Sequence, residues 1–332
     1  MSNPASAQKK LSIVVPCFNE EAVIRETHRH LAEAIGALEN LDCELIYVDD
    51  GSRDKTLDVL MELASGNPIV RIVALSRNFG HQVAISAGLD HASGDAVVTI
   101  DADLQDPPGV IPEMLEHWRQ GADIVYGQRE QREGEPFLRL LCIKAFYRVI
   151  NWLSSTPIPM DTGDFRLIDR KVLDALLAMP ERDRFVRGMV AWTGFRQEYV
   201  RYPRAARFAG VTKYPVRRLV QLGLDGVISF SLIPLRLAIW MGVGVAALSC
   251  VGIAYAVVVR LTTSAWVQGW AMLMVALLFL GGVQLIFLGV IGEYLGRIYM
   301  ESKGRPLYLV KARRGFDGAP DPDPLIPVPH RE

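Results

Sequence analysis

Two long uncharged runs in the last third of this 332-residue chain constrain its fold more than any other feature. No Asp, Glu, Lys or Arg occurs from Leu237 to Val259, and after Arg260 none occurs from Leu261 to Gly292. An α-helix rises 1.5 Å per residue, so about 20 apolar residues cross a hydrocarbon layer of roughly 30 Å. Two membrane-spanning helices are therefore expected, at 237–259 and 270–292. Burial inside a large soluble core is the alternative, but uncharged runs of this length are rare there. The connection is short, so the helices form a hairpin whose outer flanks share one side. Arg217, Arg218 and Arg236 lie upstream, and Arg297, Lys303, Arg305, Lys311, Arg313 and Arg314 lie downstream. The connecting segment has only Arg260, so the positive-inside rule puts both flanks and both termini in the cytoplasm. Trp266 and Trp270 are expected at the far interface.

Elsewhere the charges balance. Lys plus Arg is 36 and Asp plus Glu is 37, which excludes a strongly basic nucleic-acid binder. The N-terminus, MSNPASAQKK, is polar and does not read as a secretory signal. Cys17, Cys43, Cys142 and Cys250 are scattered without CxxC spacing, which fits reduced thiols better than a zinc site or a disulfide framework.

Over the first two hundred residues, short β-branched runs alternate with helix-period segments. Strands are expected at 12–15, 44–48, 69–75, 96–100 and 123–126, with helices near 20–38, 54–64 and 82–91. This alternation predicts an α/β fold, a mostly parallel sheet with helices on both faces. Ligands of such sheets sit at the carboxyl ends of the strands. There the chain reads Pro16-Cys17-Phe18-Asn19-Glu20, Asp49-Asp50-Gly51-Ser52 and Asp101-Ala102-Asp103-Leu104-Gln105. Like charges gathered this closely call for a cation or a proton. The hard oxygens of Asp101, Asp103 and Gln105 suit Mg²⁺ or Mn²⁺, ions that also bind substrate phosphates. A lone DxD is commonly a solvated turn, but here it closes an apolar strand. Neither a Walker A motif nor a GxGxxG turn after the first strand is present, so a metal-held diphosphate is the simplest reading.

These strings resemble the family 2 glycosyltransferases of GT-A fold. Arg77-Asn78-Phe79-Gly80-His81, Asp161-Thr162-Gly163-Asp164-Phe165-Arg166-Leu167 and Gly210-Val211-Thr212-Lys213-Tyr214 resemble the branch acting on polyprenyl phosphates, as do the hairpin and Gly292-Glu293-Tyr294-Leu295-Gly296-Arg297. The resemblance implies inverting transfer of a sugar, glucose first, from a UDP-linked donor to undecaprenyl phosphate for cell-envelope glycan modification. Pro16, Phe18, Glu20, Val48, Asp50 and Ala102 would line the base and ribose, and Phe18 stands where relatives often carry Tyr. Asp101, Asp103 and Gln105 would hold the metal, with Asp103 also counted as catalytic. Arg129, Arg207 and Lys213 would face the diphosphate, and Asp161 and Asp164 the acceptor.

The implied partners are a nucleotide sugar, a polyprenyl phosphate and the lipid bilayer of the inner membrane, with a homo-oligomer, a tetramer in some relatives. The expected organisation is a GT-A domain at 1–215, a juxtamembrane segment at 216–236, the hairpin at 237–292 and a C-terminal helix and tail at 293–332. Phe137–Leu153 reads as a basic amphipathic interfacial helix. His81 reads as a structural cap of a turn. Two enzymatic rivals are a processive polysaccharide synthase, which would usually carry a QxxRW string absent here, and a nucleotidyltransferase, which has little use for a membrane hairpin. A non-catalytic nucleotide-binding membrane scaffold is the third.

Overall fold

The structure, a computed structural model, describes residues 8–38, 41–129, 162–182, 184–203, 233–262 and 270–316. Asp161, Arg207, Lys213, Cys142, the amphipathic segment 137–153 and Trp266 lie outside the described residues. The chain divides into two units. One carries the sheet and takes back the chain from Arg305, and the other holds the two long helices.

The first unit begins with β1 (Lys10–Cys17), α1 (Ile24–Gly36), β2 (Asp42–Asp49), α2 (Thr56–Gly66), β3 (Val70–Leu75), α3 (His81–His91) and β4 (Ala96–Thr99). A 3₁₀ turn at Pro108–Val110 leads into α4 (Ile111–Arg119), followed by β5 (Ile124–Arg129) and β6 (Thr162–Asp169). After these come α5 (Arg170–Leu177), α6 (Val186–Trp192), β7 (Gln197–Tyr202) and, beyond the helical unit, β8 (Val310–Arg314). The strands form one eight-stranded sheet in the order β7-β5-β6-β4-β1-β2-β3-β8.

The expected strands are all present, with somewhat different ends. The sheet is more mixed than expected: β6 runs antiparallel between β4 and β5, and β8 runs antiparallel to β3. Residues 310–314, expected within the C-terminal helix and tail at 293–332, are thus a strand of this sheet. β6, β7 and β8 escape the sequence reading because charges interrupt their alternation: TGDFRLID, QEYVRY and VKARR.

The apolar runs of β1 and β2 are continuous because both sheet faces are covered. Leu11, Ile13, Val15, Cys43, Leu45 and Tyr47 point into the core beneath α1 and α4. On the other face α3 lies close to the sheet, and Gly88 permits this. A Cβ on Gly88 would stand 2.2 Å from Val14 Cγ1 and 3.1 Å from Val48 Cγ2. The descent of α3 onto β1 and β2 brings its first residues, His81 and Gln82, to the sheet's carboxyl edge.

The second unit consists of α7 (Ile233–Thr262) and α8 (Trp270–Ser302), longer at their outer ends than the uncharged runs. Ala238–Val259 and Phe279–Ser302 are long and apolar enough to cross a membrane, and neither window is buried. Trp240 is 73% exposed, Leu248 72% and Leu285 71%, so these apolar side chains are not covered by the protein.

Candidate active site

The site is assembled where β1, β2 and β4 end. Past β1 the chain turns through Asn19 at φ +56°, an uncommon conformation for a non-glycine residue. The loop after β2 holds this turn. Asn19 N donates to Ser52 Oγ at 3.0 Å, Arg53 N to Asn19 Oδ1 at 2.8 Å, and Glu20 N to Thr56 Oγ1 at 2.8 Å. Pro16 is buried and Phe18 exposed at this edge.

Asp50 turns inward. Its carboxylate accepts from Phe79 N (2.7 Å), Gly80 N (2.9 Å) and Asn78 Nδ2 (3.0 Å), so it shapes the loop that leads into α3. Asp49 is likewise buried and accepts from Ser52 N. Val48 is fully buried against α3, where Gly88 would touch it. Its side chain therefore packs the interior beside α3.

The Asp101–Gln105 turn follows β4. Leu104 sits at φ +59°, a strained setting for a branched side chain that folds Asp103 back, so that its Oδ1 accepts from Gln105 N at 3.1 Å. The carbonyl of Ala102, itself buried, accepts from Thr27 Oγ1 at 2.6 Å, tying the turn to α1. Asp101 Oδ1 is a buried carboxylate oxygen with no hydrogen-bond partner. Burial, only partly offset by His81 and reinforced by Asp164, Asp106 and Asp103, pushes the Asp101 carboxyl up to about 6.

Such an orphaned oxygen, with Asp103 and Gln105 close in sequence, is a donor set that fits a divalent cation. Among the described residues no three His, Cys, Asp or Glu side chains enclose a metal unaided.

β6 supplies the second half of the site. Its antiparallel register places Arg166 opposite Thr99 of β4 and Tyr126 of β5, and Thr99 Oγ1 donates to the Asp164 carbonyl. Asp164 thereby stands beside the end of β4. Arg166 Nη2 lies 2.5 Å and Arg187 Nη2 3.4 Å from its Oδ1, while Gln82 Nε2 at 3.3 Å and His81 Nε2 at 3.2 Å face Oδ2. These partners outweigh burial and hold the Asp164 carboxyl far below the usual carboxylate range.

Arg129 forks onto Asp106 through two bonds of 2.8 Å, and Tyr202 donates to the same carboxylate at 2.6 Å. Arg129 is therefore anchored at the edge of the site by a carboxylate that is itself fully buried. The sequence reading missed Gln82, Asp106, Arg166, Arg187 and Tyr202. Arg166 and Asp106 had a signal in the charge pattern of GDFR and of Gln105-Asp106, and Gln82, Arg187 and Tyr202 had none. An open hollow of about 620 Å³ lies elsewhere, along the β7 edge by His117, Glu198, Tyr199 and Arg201, away from these carboxylates.

A sheet of this mixed order, with an acidic turn after β4 at its carboxyl edge, is the arrangement of a GT-A glycosyltransferase. The chain belongs to glycosyl transferase family 2, whose model matches residues 12–177, and residues 233–298 match the GtrB C-terminal hairpin. It is 43% identical to a bactoprenol glucosyl transferase of Shigella phage SfV, over 91% of this chain and 98% of that protein. A prophage bactoprenol glucosyl transferase homolog of Escherichia coli K12 is 41% identical over the same shares. A glycosyltransferase of Synechocystis, sll0501, is 48% identical over 94% of this chain and 98% of its own length. Among solved structures, glucosyl-3-phosphoglycerate synthase of Mycobacterium tuberculosis with Mn²⁺, UDP and product is similar at a TM-score of 0.44 and 23% identity, covering 67% of this chain and 78% of that one. That likeness is too slight to bear on the site.

Proposed function

We propose that this glycosyltransferase moves a glucosyl group from UDP-glucose to a polyprenyl phosphate, undecaprenyl phosphate first, at the cytoplasmic face of a membrane. The relatives named bactoprenol glucosyl transferase support the acceptor and the sugar. The single observation that carries the donor side is the buried Asp101 Oδ1, which accepts no hydrogen bond, on the acidic turn after β4. The two unburied apolar helices support the acceptor side, because a polyprenyl tail stays in the bilayer and the enzyme must come to it.

In this reading an acceptor phosphate oxygen attacks C1 of the glucose. The C1–oxygen bond to the diphosphate breaks, UDP leaves with that electron pair, and the configuration at C1 inverts. A divalent cation, Mg²⁺ or Mn²⁺, bound by Asp101, Asp103 and Gln105, would neutralise charge developing on the departing diphosphate, with Arg207 and Lys213 assisting. Pro16, Phe18, Glu20 and Ala102 would position the nucleoside, and Asp50 would act through the loop it holds.

The second pKa of a phosphate is about 6, so the acceptor is largely dianionic at neutral pH and is already a nucleophile. Asp164, with both oxygens engaged, then positions its neighbours rather than taking a proton. Asp161 remains a candidate beside the acceptor. The test is UDP release by the purified full chain with UDP-glucose and Mg²⁺ or Mn²⁺. Release that requires polyprenyl phosphate, with label moving to the lipid phase, supports the reading. Repeated sugar addition to a growing chain would support a processive synthase, and no release with any nucleotide sugar a scaffold.

A further inference from the structure

His81 was expected to cap a turn, and its surroundings point elsewhere. It is the first residue of α3, entered through Gly80 at φ +106°, and the imidazole reaches out of the helix rather than back onto it. Its Nε2 stands 3.2 Å from Asp164 Oδ2 and 3.4 Å from Asp101 Oδ1. One ring nitrogen thus lies between two carboxylates that arrive from different strands.

The carboxylates are not equivalent. Asp164 is immobilised on every side by Arg166, Arg187 and Gln82. Asp101 Oδ1 makes no regular hydrogen bond, and the imidazole is the group that approaches it. With Nε2 engaged by Asp164 Oδ2, the ring is held at a fixed place 3.4 Å from Asp101 Oδ1. A carboxylate that binds a cation needs its orientation set from behind, and loss of such a partner commonly weakens metal binding 10- to 100-fold.

We propose that His81 is a positioning residue: anchored on Asp164, its imidazole stands against Asp101 and sets the orientation of that carboxylate for the cation that accompanies the donor diphosphate. This rests on the metal-dependent reading above and adds to it a residue outside the DxD turn. It also gives Asp164 a role distinct from proton transfer, as the anchor of the ring.

The test is calorimetric titration of Mn²⁺ into the full chain in detergent with saturating UDP, which needs no turnover. His81→Ala is expected to weaken Mn²⁺ about tenfold. His81→Gln, whose amide N–H can reach the place of Nε2, is expected to recover to within roughly threefold of wild type. His81→Asn, whose amide falls at the place of Nδ1, is expected to behave like Ala. Should the Ala variant not fold, the contrast between Gln and Asn decides. Gln and Asn alike in Mn²⁺ affinity, or Ala unchanged from wild type, would overturn the proposal. Wild-type protein that binds no Mn²⁺ with UDP would instead remove the metal reading on which it rests.

Discussion

Replacing Asp101 by Asn should abolish transfer and yet make the metal-free protein more stable. Burial raises the Asp101 carboxyl to about 6, against an ordinary value near 3.9, and the attraction of His81 is already included. The folded state therefore holds a proton that the unfolded state has released. The contribution of Asp101 to stability falls as pH rises between these two values and is level above the higher one. The hundredfold difference in proton affinity corresponds to ~3 kcal/mol lost to the ionised, metal-free form at pH 8. Asn keeps the shape and carries no charge, so the variant recovers this amount. For a folded unit of this size the gain is roughly 6–12 °C in Tm. The assay is thermal unfolding of the full chain in detergent with a chelator, at pH 8 and pH 5. The variant's advantage should be about halved at pH 5. A variant no more stable than wild type at pH 8, or an advantage equal at both pH values, would refute the claim that Asp101 is held at an energetic cost to receive a cation.

Three further outcomes test the supports of the site. Gly51→Ala should destabilise by about 2–4 kcal/mol in chemical unfolding, because its φ of +67° disfavours a side chain and the new Cβ would stand 2.4 Å from the Arg77 carbonyl carbon. Arg129→Ala should cost about 3–5 kcal/mol, since it strips the fork from fully buried Asp106 and leaves only Tyr202 there. Unchanged stability with lost UDP affinity would instead assign Arg129 to the diphosphate alone. Glu44→Ala should cost ~2 kcal/mol or more in thermal unfolding without altering the KM for donor. It strands Ser12, Ser93, Lys10 and Arg71, whose partner it is at the opposite, amino-terminal end of the strands.

What could be read from the residues alone, and what could not, divides along a physical line. The β1, β2 and β4 ends announce themselves because a buried parallel strand is an apolar run, and an acidic residue at its close is conspicuous. The helices α7 and α8 announce themselves because 23 successive positions, Leu237 to Val259, carry no charge, a pattern long enough to cross a membrane. Both signals are local, carried by composition over a window shorter than the element.

The other half of the site has no local signature. Thr162–Asp169 carries two acids and a base in eight residues and would pass for a loop. It becomes a strand because β4 and β5 leave a gap between them and because Asp164 and Arg166 neutralise each other on a buried face. Val310–Arg314 joins the sheet only because β3 offers a free edge after the chain has passed through two long helices. His81 looks like any turn histidine until Asp101 and Asp164, 20 and 83 residues further on, converge on one nitrogen. Apolar patterning and strand-end acids follow from the free energy of each segment in its own solvent. The pairing of charges across the sheet follows from the free energy of burying them together, which no single segment contains.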